Sequence, residues 1–385
     1  MKNQRSTYFT TVDGPGTLTL TAAEPDQNGW SSKQFTLKSG TVTLNNSSIT
    51  THTGVEISGG TLKINGAPEN AMAGIYTNGS YVQTGGTVTV TTKCAAGLFI
   101  AGTNENTNPG FQISGGSLSI TAPNSGIFAS NPPSNAQKDV IINTDGTVSI
   151  SAPYGIYLRN KSDLYMQNGT LTIRDASYGI IAYDAASEVY VSGGETEVSS
   201  STNAILLSKS EQKSLIIDPD YFHKSYRGDD EGSRKETADS EITDSQGKSV
   251  PYVLITPAYT ITYDLGEGIL PAGPSNPVKY SRADSFTLIN PEPKNAGALF
   301  TGWTGTGLSG PTMTVTVPEG SKGNRSYAAQ YKASGNTEPA APDPDIPQTG
   351  DPSDPAFWAW TACAGAAAAV CTGSALWKRK ARSKE

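Results

Sequence analysis

A short phrase recurs through the first half of this chain and limits what it can fold into. It reads Gly16-Thr17-Leu18-Thr19-Leu20, Gly40-Thr41-Val42-Thr43-Leu44, Gly60-Thr61-Leu62-Lys63-Ile64 and Gly86-Thr87-Val88-Thr89-Val90. It returns as Gly116-Ser117-Leu118-Ser119-Ile120, Gly146-Thr147-Val148-Ser149-Ile150, Gly169-Thr170-Leu171-Thr172-Ile173 and Gly194-Glu195-Thr196-Glu197-Val198. Successive opening glycines lie 24, 20, 26, 30, 30, 23 and 25 residues apart by subtraction. A second phrase runs between the copies: Gly74-Ile75-Tyr76, Gly97-Leu98-Phe99, Gly126-Ile127-Phe128, Gly155-Ile156-Tyr157 and Gly179-Ile180-Ile181. A third strand-like triplet precedes most Gly-Thr phrases, as in Tyr81-Val82-Gln83, Val140-Ile141-Ile142, Leu164-Tyr165-Met166 and Val189-Tyr190-Val191.

Alternation along a strand sends Val88 and Val90 to one face and Thr87 and Thr89 to the other, and the other copies divide the same way. Three short strands per repeat describe one three-sided coil. A single coil cannot bury its apolar face, but a stack of them makes a continuous core. The spacing is too long for left-handed hexapeptide coils and too irregular for nonapeptide calcium repeats. Residues 1–222 resemble the right-handed parallel β-helix of pectate-lyase-like proteins. The alternative is an antiparallel β-sandwich, against which eight copies of one phrase argue.

Residues 223–256 read as a charged loop followed by a terminal strand, Pro251-Tyr252-Val253-Leu254-Ile255. A polar closure keeps the open edge of a solenoid from pairing with another chain. Asp229, Asp230 and Glu231 are oxygen ligands of the kind calcium takes, although a solvated loop is the plainer reading.

Residues 257–333 carry Tyr259-Thr260-Ile261-Thr262-Tyr263-Asp264, Asn276-Pro277-Val278-Lys279-Tyr280 and Phe286-Thr287-Leu288-Ile289-Asn290-Pro291. Phe300-Thr301-Gly302-Trp303 and Tyr327-Ala328-Ala329-Gln330-Tyr331 follow. Together these resemble the Listeria–Bacteroides repeat, or internalin B-repeat, a small β-grasp-like module of bacterial surface proteins. The resemblance implies a spacer or weak interaction unit without catalysis. Phe286, Leu288, Phe300, Trp303 and Tyr331 are the candidate core, and Trp303 as a sugar platform is the sharper alternative.

Residues 334–345 form a Pro-rich acidic linker. Ile346-Pro347-Gln348-Thr349-Gly350 then precedes an uncharged apolar run, 356–377, and a basic tail, 378–385. At ~1.5 Å per residue the run of 22 residues is about 33 Å long as a helix, enough for a bilayer core. Lys378, Arg379, Lys380 and Arg382 would hold the far end in the cytoplasm. Pentapeptide, span and tail in this order resemble the sorting signal of Gram-positive surface proteins. The resemblance implies a sortase that cuts between Thr349 and Gly350, holds the Thr349 carbonyl as a thioester and passes it to an amine of the peptidoglycan precursor. Pro347 supplies the kink; Ile346 stands where Leu is usual. The alternative is an ordinary C-terminal membrane anchor. The polar start, Met1-Lys2-Asn3-Gln4-Arg5, has no apolar run behind it, so a truncated or misassigned beginning is expected.

The formal charge of −7, without a basic patch in the body, argues against nucleic-acid binding. Of the three cysteines, Cys363 and Cys371 lie in the apolar run, so only Cys94 remains and no disulfide framework or thiol metal site is expected. His52 and His223 are the only histidines, too few for a zinc triad. No metal or cofactor is expected. Because β-helices include polysaccharide lyases and glycoside hydrolases, an enzyme is the runner-up. Its best group is Arg159, Arg174, Asp175 and Asp184, each near a turn where single charges are simply solvated. An outward hydroxyl file (Thr87, Thr89, Ser117, Ser119, Thr147, Ser149, Thr170, Thr172), broken by Lys63, Glu195 and Glu197, resembles ice-binding arrays only in part. With Tyr76, Tyr81, Tyr157, Tyr165 and Tyr183 it is a candidate surface for glycans. The sequence thus reads as a non-enzymatic, wall-anchored extracellular protein that binds a glycan or a host protein. A structural spacer is the third reading.

Overall fold

The structure is a computed structural model; it describes residues 8–22, 29–101, 109–130, 139–184, 186–207, 215–243 and 249–334. The fold is mainly β, and its one helical element among the described residues is the 3-10 turn Asp239–Glu241.

The repeated phrases lie in strands that pair in parallel from each copy to the next. Thr17–Thr21 pairs with Thr41–Asn45, which pairs with Thr61–Ala67. The ladder continues through the second halves of Ser80–Thr92, Phe111–Thr121 and Val140–Ser151, then through Leu164–Ala182 to Glu195–Leu207. The register keeps Val42, Leu62, Val88, Leu118, Val148 and Leu171 in one file, each at most 1% exposed.

Two further parallel ladders follow the other two phrases. One joins Ile75–Thr77, Ala96–Ile100, Ser125–Ala129 and Tyr154–Leu158 to the 178–182 end of Leu164–Ala182. The other runs from Phe9–Val12 through 111–113, 140–142 and 164–166 to Val189–Val191 and Leu215–Ile217. Nine strands thereby close a parallel circuit, because Ile49–Ile57 and Leu164–Ala182 each turn a corner and pair through their two halves with different neighbours. One hydrophobic core, from Phe35 to Ile255, fills the interior.

The corner glycines are fixed by geometry. Gly86 and Gly116 have φ of +73° and +76°, and a Cβ on Gly116 would lie 2.1 Å from the Gly86 carbonyl oxygen. Only glycine tolerates both the left-handed backbone and the approach of the coil below.

The segment read as a charged loop holds more strand than expected. Tyr252–Pro257 runs antiparallel to 196–199, and His223–Gly228 runs antiparallel to Tyr252–Pro257 on its other edge. The parallel edge at this end is therefore covered by a change of strand direction.

A second core gathers Ile261, Tyr280, Leu288, Trp303, Val315, Val317 and Tyr327, with Phe286 and Phe300 packed against it. Its sheet runs in the order Lys279–Tyr280, Tyr259–Asp264, Arg325–Ala333, Ala298–Gly305. Trp303 is fully buried and donates Nε1–H to Asn290 Oδ1 at 3.0 Å, so it is a core residue and offers no ring face to a sugar. Residues 1–294 and 300–331 form one compact unit. Of the described residues, 295–299 and 332–334 belong to a second, in which the Ser334 N–H donates to the Gly297 carbonyl at 2.6 Å.

Among the described residues no helix is long and apolar enough to cross a membrane. The apolar run 356–377, the motif residues Ile346, Pro347, Thr349 and Gly350, and the basic residues Lys378, Arg379, Lys380 and Arg382 lie outside the described residues.

Candidate functional site

The second ladder carries aromatic residues on its outward face in four consecutive coils. Strand alternation buries Ile75, Leu98, Ile127 and Ile156, and so turns Tyr76, Phe99, Phe128 and Tyr157 outward in register. Their ring centroids are 5.4, 4.8 and 5.2 Å apart from one coil to the next. A shorter file stands beside it, in which Tyr154 stacks on Tyr178 at 6.0 Å with the rings nearly parallel. Tyr183 meets Tyr157 edge-on at 5.9 Å and is 55% exposed.

Between these files lies an open groove of about 460 Å³. Phe99, Phe128, Tyr154, Tyr157, Tyr178 and Tyr183 line it, with Asn124 and Ser125 as polar edges and Met72 at the rim. The Arg159 guanidinium sits 5.1 Å over the Tyr183 ring. Burial pushes the Tyr157 hydroxyl above its ordinary pKa, with Arg159 opposing the rise. The groove offers phenol hydroxyls and aromatic surface, together with one guanidinium at its edge. That combination suits a neutral, hydroxyl-rich ligand that stacks and hydrogen-bonds.

The tyrosines singled out from the sequence separate in space. Tyr76, Tyr157 and Tyr183 belong to this file or its rim. Tyr81 does not: it is fully buried, stacks on Phe111 at 5.1 Å and donates its hydroxyl to Gln83 Oε1 at 2.7 Å. Its place in the strand repeat makes it an inward residue, and Gln83, in the next inward position, satisfies its hydroxyl. Tyr165 lies on the third ladder, stacked on Tyr190 at 4.8 Å. The hydroxyl file belongs to the first ladder, so these tyrosines do not form one surface with it.

The charged group Arg159, Arg174, Asp175 and Asp184 divides into two pairs at opposite ends of the 178–182 stretch. Arg174 pairs with Glu197 at 3.4 Å and Glu231 at 3.5 Å. Asp175, at φ +56°, accepts a hydrogen bond from Ser151 Oγ at 2.8 Å. Asp184 accepts the backbone N–H of Asn160, beside Arg159. Asp230 accepts the Ser233 N–H at 2.8 Å, and Glu231 also approaches Arg234.

Sequence reasoning passed over a carboxylate column. Asp139, Asp163 and Glu188 precede the third-ladder strand in three successive coils. Asp139 accepts the Asp163 N–H at 3.0 Å, and Asp163 accepts the Glu188 N–H at 2.8 Å. Burial, with Asp139 and Glu188 adding to it and the Glu188 N–H opposing, raises the Asp163 carboxyl to about 6. Asp139 and Asp163 each tie their coil to the next, whereas Glu188 accepts the Tyr190 hydroxyl of its own coil.

Compared with family models, with curated proteins and with solved structures, the chain matches none.

Proposed function

We propose that this chain is a wall-anchored Gram-positive surface protein whose right-handed parallel β-helix binds an extracellular glycan in the aromatic groove. The observation that carries the binding reading is the outward file Tyr76, Phe99, Phe128 and Tyr157, with Tyr154, Tyr178 and Tyr183 beside it. A surface that places so many rings outward in register serves a ligand that passes several coils. A sugar chain, with apolar ring faces and hydroxyl edges, matches rings rimmed by Asn124 and Ser125. The parallel ladders and their three-phrase repeat support the β-helix, and the aromatic core around Trp303 is compatible with a B-repeat module.

Anchoring rests on Ile346-Pro347-Gln348-Thr349-Gly350 with the apolar run and basic tail behind it. In this reading the chain is a sortase substrate, inserted in the membrane before Thr349 is joined to the peptidoglycan precursor, and it has no catalytic site of its own. The test is binding of the full-length chain, held in mild detergent, to an array of host and plant glycans, with the spots re-probed for loss of material. Retention on one sugar class with intact spots supports the reading. Eroded spots would favour a carbohydrate-active enzyme, and silence across the array a spacer.

A further inference from the structure

The outward face of the first ladder carries mainly hydroxyls until its last coil, where Glu195 and Glu197 stand in register with Thr170 and Thr172. Both glutamates are buried, their side chains 9% and 8% exposed. Two carboxylates on one strand face are costly to bury unless positive charge and hydrogen bonds meet them. Arg282 meets both: Nε lies 2.8 Å from Glu195 Oε2, and Nη2 donates to Glu197 Oε2 at 2.6 Å. Further donors approach the same two carboxylates. Tyr252 OH donates to Glu197 Oε1 at 3.3 Å and Thr256 Oγ1 to Glu195 Oε2 at 3.1 Å.

Arg282 does not belong to the parallel stack. It sits in a turn of the Trp303-centred module, next to Ser281 and close to Asp284. Those two hydrogen-bond Tyr226 OH at 2.6 and 3.0 Å, and Asp284 pairs with Lys224 at 3.2 Å. The covalent link between the bodies is short, since Tyr252–Pro257 is followed after Ala258 by Tyr259–Asp264. The Ala258 N–H is itself tied to the Phe222 carbonyl at 3.0 Å. Burial works against the Arg282 charge, but Glu195 and Glu197 outweigh it and hold the guanidinium protonated.

We propose that Arg282, seated between Glu195 and Glu197, is a latch that makes the parallel stack and the Trp303-centred module a single folding unit. The two glutamates that interrupt the hydroxyl file are thereby accounted for: they are the socket. A pull applied beyond the module reaches the stack through a fixed joint instead of a hinge. This inference is independent of any ligand in the aromatic groove.

Hydrogen exchange of the full-length chain in mild detergent tests it, read by mass spectrometry on strands Arg325–Ala333 and Ser125–Ala129. In the parent chain the slowest amides of both strands are expected to exchange together, through one global opening. Arg282→Ala is expected to speed the Arg325–Ala333 amides about tenfold or more while leaving Ser125–Ala129 unchanged. Arg282→Lys keeps the charge but loses the planar fork, and is expected to give an intermediate effect. If Arg282→Ala does not fold, Arg282→Lys carries the test alone. Equal rates for the two strands in both variants, or an equal rise in each, would overturn the proposal.

Discussion

Single residues hold the coils in register. Gly116 combines a left-handed backbone with the Gly86 carbonyl against its Cα, so Gly116→Ala is expected to cost at least about 2 kcal/mol. A thermal melt of the variant checks this, and the loss should be seen in binding only through stability. Asp163 gives a pH signature. Its carboxyl titrates near about 6 in the fold, above its ordinary value, so the folded state binds the extra proton. The stability tied to that proton is complete below about 4 and is lost as pH rises through about 6. Asp163→Asn keeps an acceptor for the Glu188 N–H and removes the titration. The parent chain should therefore gain more in Tm than the variant when both are taken from pH 7.5 to pH 4.5.

At the scale of elements, the aromatic file is both a packing device and the candidate site. Phe128 touches Phe99 on one side and Tyr157 on the other, so Phe128→Ala should lose about 2–3 kcal/mol of stability. Chemical denaturation measures it. The ladders were legible in the sequence because each phrase repeats its own alternation, and the buried file Val88, Leu118 and Val148 follows directly from it. The aromatic file was legible too: Tyr76, Phe99, Phe128 and Tyr157 each follow a buried Ile or Leu in successive copies. Tyr76 and Tyr157 stand out in the sequence as candidate glycan contacts, whereas Phe99 and Phe128, with no polar group, read as plain strand residues. Tyr81 misled for a physical reason, since a tyrosine can be an inward residue when a buried Gln83 accepts its proton. Glu195 and Glu197 read as defects because Arg282, their partner, lies 85 residues from Glu197 in the chain. Tyr154 and Tyr178 gave no signal, as they come together only through the register of Tyr154–Leu158 with 178–182.

At the scale of the whole molecule, the proposed function couples a displayed groove to a covalent wall anchor at Thr349. Thr349→Ala should leave the chain in the membrane fraction of a sortase-bearing host, where the parent chain moves to the wall fraction; immunoblots of the two fractions decide it. The central claim is that the groove binds a glycan, and Tyr183 tests it with least risk to the fold because it is 55% exposed. The deciding measurement is the affinity of the parent chain and of Tyr183→Ala for the sugar class retained on the array. Binding by the parent chain and a loss of about tenfold in the variant, the worth of one stacking ring, are the expected results. Equal affinity in the two proteins, or no sugar retained by the parent chain, would contradict that claim.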